Sequence, residues 1–252
     1  PEIDQLFAAG INHIFYHGIA YSPPDAAWPG WQFYASTSFA PTNPFYRDFP
    51  ALNAYAARVQ AVLQAGAPDN DLLLYFPYAD ILASGGDLLK QLTVHNLEWQ
   101  ETAGLRATME YLWEHGYSFD LVSDAQLQKC TVRDGAIVSP GGVAYEALLL
   151  PDCAHTPAQT QEKLSNLAGD GARVPRVGGD LAGVLMEAGV RSESIAEAGN
   201  RLIRRRLVHG HYYFLTNLGA EPFDGWADLA TAFRAATILD PMQVDQIGRA
   251  HV

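Results

Sequence analysis

Two indoles three residues apart, Trp28 and Trp31, flank a Pro-Gly pair and sit in the part of the chain best suited to chemistry. Phe33, Tyr34, Phe39, Phe45 and Tyr46 follow within the same proline-rich stretch. Sugars present C–H faces that stack on aromatic rings, and their hydroxyls need polar neighbours. His13, His17, Asp25 and Asn43 are the polar residues at hand. Loop packing against a neighbouring domain is the competing use for any one of these rings. For the stretch as a whole, a long loop that follows a strand favours the wall of a site. The candidate substrate-binding residues are therefore His13, His17, Asp25, Trp28 and Trp31.

Other chemistry finds less support. Glycoside hydrolysis needs two carboxylates facing one sugar. Asp25, Asp48, Asp80, Glu98, Glu101 and Glu110 are the acidic candidates, and all but Asp25 read as helix caps or solvated charges. No pair stands out, so no catalytic residue is assigned. No G-x-S-x-G elbow is present. Cys153 has His155 two residues on, but Pro151 and Asp152 precede it where an elbow needs small residues, which favours a buried or vestigial cysteine. His13 with His17 and His209 with His211 share strand faces without a carboxylate partner. They read as structural or ligand-contacting residues, and neither a metal nor a cofactor is assigned. Gly85-Gly86 and Gly141-Gly142 are turn glycines that open no phosphate-binding helix.

The elements that must position these residues fall into three regions. In the first, a helix over 2–9 ends at Gly10, Ile11 to His17 reads as a buried strand, and the aromatic loop follows. Leu52 to Gln64 is helical, with Leu52, Tyr55, Ala56, Val59 and Leu63 on one face and Gly66 as its stop. In the second, strands over 71–77, 119–123, 147–151 and 172–177 alternate with helices over 102–114 and 156–168. Thr156 is the expected N-cap of the latter. The Pro in the last strand makes it an edge or a bend. Thr131 to Val138 is a hairpin turning at Asp134-Gly135. This alternation predicts an α/β fold, flavodoxin-like, with a parallel sheet and helices on both faces. Leu181 to Ala198 is read as helical. In the third region, strands over 201–208 and 211–217, turning at His209-Gly210, and one over 236–240 begin an antiparallel β module. The expected domains are 1–67, 68–199 and 200–252.

The 252 residues suffice for one large or two small domains. Only 17% are charged and the net charge is -12, which suits a neutral ligand and argues against a nucleic-acid partner. No apolar run has the length of a membrane span. Cys130 and Cys153 read as free thiols rather than a disulfide. Both ends look truncated, and Ile247 to Val252 follows no structural pattern, so localisation stays unassigned.

Family resemblance enters on particular blocks. Gly10-Ile-Asn-His-Ile-Phe-Tyr-His-Gly18, Tyr21-Ser-Pro23, Trp28-Pro-Gly-Trp31, Tyr34-Ala-Ser and Asn43-Pro44 resemble glycoside hydrolase family 106, the α-L-rhamnosidases. Tyr55-Ala-Ala-Arg58, Leu63-Gln-Ala-Gly66, Asp71 to Pro77, His115 to Asp120 and Leu148-Leu-Leu-Pro151 extend the likeness more loosely, over most of residues 8–180. The resemblance implies that Ile11–His17 is the last strand of a (β/α)8 barrel, with its loop beside the sugar. It implies that residues from about 68 to 180 are similar to class I glutamine amidotransferases without their catalytic apparatus. The family's two glutamates and its calcium ligands lie on earlier barrel strands, so none is carried over to this chain. A periplasmic or secreted parent is also implied.

The reading is thus an internal piece of a glycosidase that supplies one wall of a carbohydrate site. A non-catalytic structural or oligomerising module and a stand-alone promiscuous hydrolase are the alternatives. With its barrel neighbours missing, the Ile11–His17 strand needs a partner, and self-association through it is expected.

Overall fold

The computed structural model describes residues 2–85, 91–243 and 247–251. Gly86, one of the expected turn glycines, lies outside them. The chain forms two compact units, one of residues 1–66 with 233–252 and one of residues 67–232.

The first unit opens with helix α1 (Glu2–Ala8) and continues after the aromatic loop with α2 (Phe49–Leu63). Gly10, at φ 95°, ends α1: its N–H reaches Phe7 O at 3.0 Å and Ile11 N–H reaches Leu6 O at 2.9 Å. These paired bonds satisfy the last helical carbonyls, and the left-handed backbone between them suits glycine. On α2, Ala56, Val59 and Leu63 are buried as the spacing predicts, whereas Leu52 is exposed. Tyr55 donates to the Asp4 carboxylate, tying α2 to α1.

The second unit is built on a parallel sheet. Its elements are β1 (Ala67–Pro68), β2 (Leu72–Tyr75), α3 (Tyr78–Ala83), α4 (Leu105–Glu114), β3 (Phe119–Val122), α5 (Asp124–Leu127), β4 (Thr131–Arg133), β5 (Ala136–Val138), β6 (Ala144–Tyr145), β7 (Ala147–Leu149), α6 (Ala158–Gly169), α7 (Leu181–Glu187), β8 (Asn200–Leu207) and β9 (Gly210–Asn217). The parallel order is β3-β2-β7. Residues 173–176 continue it beyond β7 through two parallel bridges, Ala147 to Arg173 and Leu150 to Arg176. Pro175 offers a carbonyl but no N–H, so the ladder there is partial, as an edge position requires.

Strand alternation divides the core in two. Leu73, Tyr75, Leu148 and Leu150 face one side with Leu164 and Leu167 of α6. Leu72, Leu74, Ala147 and Leu149 face the other with Leu105 and Leu112 of α4 and Leu185 of α7. Both faces are covered by helices, which is why these strands read as continuous apolar runs. The hairpin turns at Asp134 and Gly135, both at positive φ, as a two-residue loop demands.

Several boundaries differ from expectation. Pro157, not Thr156, is the N-cap of α6. Helix α4 starts at Leu105, because Ala103 and Gly104 adopt positive φ after a 3-10 stretch, Glu98–Gly104. The helix expected over 181–198 breaks at Ala188-Gly189, and the 3-10 helix Ser194–Ala198 follows. The β8–β9 turn falls at Val208-His209. Strands β1, β8 and β9 form one antiparallel sheet. In the first unit, β10 (Ala235–Leu239) pairs with β11 (Ile247–His251), so the stretch after Ile247 has a regular place. Among the described residues no helix is long and apolar enough to cross a membrane.

The clearest correction concerns Ile11 to His17. This segment is extended but is no strand, for it joins no sheet. A strand is defined by its ladder, and among the described residues no other strand pairs with this backbone.

Candidate functional site: the aromatic loop

Although unpaired, residues 11–21 keep the period of a strand. Ile11, His13, Phe15, His17, Ile19 and Tyr21 are exposed, while Asn12, Ile14, Tyr16, Gly18 and Ala20 are partly covered. Two glutamines of α2 hold the covered side. Gln60 Oε1 accepts from Ile14 N–H at 2.6 Å, and Gln64 Nε2 donates to Asn12 O at 2.7 Å. The match is geometric. Four helical residues rise about 6 Å and two extended residues span about 6.6 Å, so residues four apart on α2 meet residues two apart here.

Beyond this segment the chain folds into the loop. Gly18 has φ 86°, and a Cβ there would lie 2.1 Å from Ser36 Oγ and 2.5 Å from Phe33 Cδ1. The backbone conformation and the close approach both require glycine. Ser36 Oγ donates to Gly18 O at 3.1 Å. Trp28-Pro29 is a cis peptide, and Gly30 again has φ 86°. Ser22 Oγ accepts from Trp31 N–H at 2.8 Å, Thr42 Oγ1 donates to Pro29 O at 2.9 Å, and Trp28 Nε1 donates to Thr42 O at 3.4 Å. The turn that carries both indoles is therefore braced from two sides.

The aromatics separate into two sets. Tyr16, Phe39, Phe45 and Phe49 pack together, with ring centroids 4.8 Å apart for Tyr16–Phe39 and Tyr16–Phe49 and 5.1 Å for Phe39–Phe49. This set is loop core, as the packing alternative expected. The Tyr16 hydroxyl is buried without a hydrogen-bond partner among the described residues, and burial raises its pKa. The second set faces solvent: Trp28 is 76% exposed, Trp31 62% and Tyr34 96%. Rings left outside while others of the same loop are packed form a surface available to a flat apolar ligand face.

Of the expected site residues, Trp28 and Trp31 share one turn. His13 stacks on Phe15 at 4.3 Å, and His17 meets the edge of Phe33 at 5.5 Å. Residues four apart in an extended chain stand about 13 Å apart, so the two histidines cannot share a metal ion. Asp25 is exposed in the turn after Pro23 and bonds to none of the others. Asn43 has a different role from that expected. Its Nδ2 donates to Ser38 O and its Oδ1 accepts from Phe45 N–H, so both ends of the amide brace the loop.

A second polar cluster, in the other unit, lies just beyond the carboxyl ends of the parallel strands. Asp80 read from sequence as a cap or a solvated charge. It is only 6% exposed, and its Oδ1 accepts from both the backbone N–H and the ring Nδ1 of His155, each at 2.8 Å. Cys153 lies beside it. Burial first, then the Asp80 charge and a hydrogen bond to it, push the thiol up to about 12. A thiol so protonated is no nucleophile. Both cysteines are free, Cys130 buried and Cys153 partly so.

The third cluster centres on Arg204, which the sequence showed only as part of a basic run. Arg204 is 4% exposed and binds Asp69 at 2.6 Å, Asp71 at 2.5 Å and Glu193 at 2.9 Å. Burial alone would lower its pKa, but Asp71 and Asp69 outweigh that and raise it. Glu193 also accepts from Tyr213 Oη at 3.0 Å and from Ala230 N–H at 2.8 Å. Strand alternation sets Arg201 and Arg205 on the opposite face from Arg204; Arg206 shares the Arg204 face, reaching Asp69 at 4.0 Å, but lies nearer the strand end and is more accessible. The calcium implied by family resemblance finds no fit here. Among the described residues no group of three or more His, Cys, Asp or Glu is arranged to hold a metal, and the carboxylates that do converge surround Arg204.

Fold and loop together define a mixed α/β protein with parallel and antiparallel sheets and a braced, solvent-facing aromatic turn. Its sequence matches the α-L-rhamnosidase family, glycoside hydrolase family 106, over residues 1–182, and the chain belongs to that family. A curated relative from Formosa agariphila, named "Putative beta-glucuronidase", is 30% identical over 172 residues, which is 68% of this chain and 13% of that protein. The solved rhamnosidase from Novosphingobium sp. PP1Y shares the fold, with a TM-score of 0.52 at 17% identity, over 85% of this chain and 23% of that one. The chain thus spans a minor part of the length of either relative.

Proposed function

We propose that residues 10–46 form one wall of a sugar site that accepts α-L-rhamnosides, while the α/β unit serves as an amidotransferase-like structural domain. The carrying observation is the outward display of Trp28, Trp31 and Tyr34 on a turn fixed by Ser22 and Thr42. A sugar face lies on such rings, and His13 and His17 on the exposed row offer hydrogen bonds to its hydroxyls. Family membership supports the choice of rhamnoside. Asp25 is the one acidic residue between Gly10 and Tyr46, so the pair of carboxylates that glycoside cleavage needs is not furnished by this wall. In this reading the cleaving groups come from outside these residues.

Incubation with p-nitrophenyl α-L-rhamnoside tests the proposal. No release of nitrophenol above buffer is expected from this chain alone. Clean turnover that disappears in His17→Ala would instead establish a self-sufficient hydrolase.

A further inference from the structure

Residues 1–46 contain no lysine or arginine, and Asp25 carries the one carboxylate between Gly10 and Tyr46. Among the described residues the Asp25 side chain has no hydrogen bond or ion pair. Arg47, the first cation along the chain, follows the packed Phe45 and stands next to Asp48. The fold places the Asp25 charge beside the indoles. Trp31 N–H donates to Ser22 Oγ at 2.8 Å, which closes the run from Ser22 to Trp31 into a loop. Pro23, Pro24 and Pro29 restrict its backbone. Two turns are fixed inside it, by Ala26 N–H to Pro23 O at 3.0 Å and by Gly30 N–H to Ala27 O at 2.7 Å. Asp25 and both indoles therefore belong to one braced loop. Asp25 precedes Trp28 by three positions, so their Cα atoms lie within about 11 Å of each other. The screening length is of similar size, about 10 Å at 0.1 M salt, so a ligand on the Trp28 ring feels this carboxylate.

We infer that Asp25 is a specificity-determining residue of the sugar wall: it favours uncharged sugars and disfavours uronic acids. The inference rests on the reading of this loop as a sugar wall and adds the class of sugar that the wall accepts. The Asp25 carboxylate accepts hydrogen bonds from the hydroxyls of a neutral sugar, while the sugar's C–H face lies on an indole. A uronic acid brings a second carboxylate to the same place, where the loop offers no lysine or arginine to neutralise it. One like charge at about 4–10 Å in water weakens binding roughly two- to sixfold. The discrimination is electrostatic, so it fades as salt screens it. Exclusion by shape would not respond to salt.

A rhamnosyl-glucuronic acid disaccharide and its methyl ester differ in little but charge, and titrating each against the chain by tryptophan fluorescence tests the inference. At about 0.01 M salt the ester is expected to bind roughly two- to sixfold more tightly than the acid. At 1 M salt, where the screening length is about 3 Å, the difference is expected to vanish. Asp25→Asn is expected to bring the low-salt ratio close to one, and Asp25→Lys to invert it in favour of the acid. The ratio of the two affinities is what is read, so a general weakening of sugar binding by either substitution does not mask the result. Equal binding of acid and ester at low salt, a preference unchanged by salt, or a ratio unmoved in both variants would each overturn the inference and leave the sugar wall in place. Failure of both probes to bind would overturn the sugar wall, and this inference with it.

Discussion

Asp80 holds His155 by two hydrogen bonds to a single carboxylate oxygen, both 2.8 Å, and so pins the loop after β7 to the helix after β2. Asp80→Ala removes both bonds. Asp80 is 6% exposed but the His155 side chain is 62% exposed, so water can replace the lost acceptor and the cost is that of the bonds themselves. Urea denaturation is expected to show a loss of about 1–2 kcal/mol with an unchanged m-value.

The same carboxylate governs Cys153. With the thiol at about 12 rather than its ordinary 9.0, the thiolate fraction at pH 8 is lower by a factor on the order of 1,000. Alkylation of Cys153 by iodoacetamide, followed by mass spectrometry, is expected to be correspondingly slow. Asp80→Asn removes the negative charge that disfavours the thiolate, so the pKa falls and alkylation quickens. A Cys153 that reacts as fast as free cysteine in the parent chain would contradict the burial described.

Arg204 is the counter-ion of three carboxylates, one of which, Glu193, is 1% exposed. Replacing it with Met leaves Glu193 buried without its cation, whereas Asp69 keeps Arg206 at 4.0 Å and His211 at 3.4 Å; a buried charge left unpaired costs about 3–5 kcal/mol. Urea denaturation at neutral pH is expected to show a loss of about that size.

Gly18 lies where a side chain would overlap Ser36 and Phe33. Gly18→Ala is expected to displace the aromatic loop and weaken sugar binding at least several-fold. The α/β unit, whose core excludes these residues, keeps its far-ultraviolet dichroism. Unchanged binding in this variant would show that the loop conformation does not matter to the ligand.

Much of the α/β unit was legible because its signals are local. Leu72 to Tyr75 and Ala147 to Leu149 are unbroken apolar runs, and Asp134-Gly135 is a turn by its backbone requirements alone. What escaped the sequence depends on neighbours distant along the chain. Asp80 and His155 are 75 residues apart, and Arg204 lies 133 residues from Asp71, so no spacing rule brings them together. Ile11 to His17 misled in the opposite sense. Its composition and alternation are those of a strand, but a strand also needs a partner, and the segment alone does not reveal whether one is present. Within the loop, the sequence marked the aromatics as a group. Only the structure divides Phe39 and Phe45, which are packed, from Trp28 and Trp31, which are displayed.

The sugar wall is tested most directly by following tryptophan fluorescence as rhamnose or a rhamnosyl oligosaccharide is added. Trp226, fully exposed in the other unit, provides an internal control. The account predicts a saturable change that is lost in Trp28→Ala and Trp31→Ala and retained in Trp226→Ala. A response that survives both loop substitutions, or that vanishes only with Trp226, would contradict it.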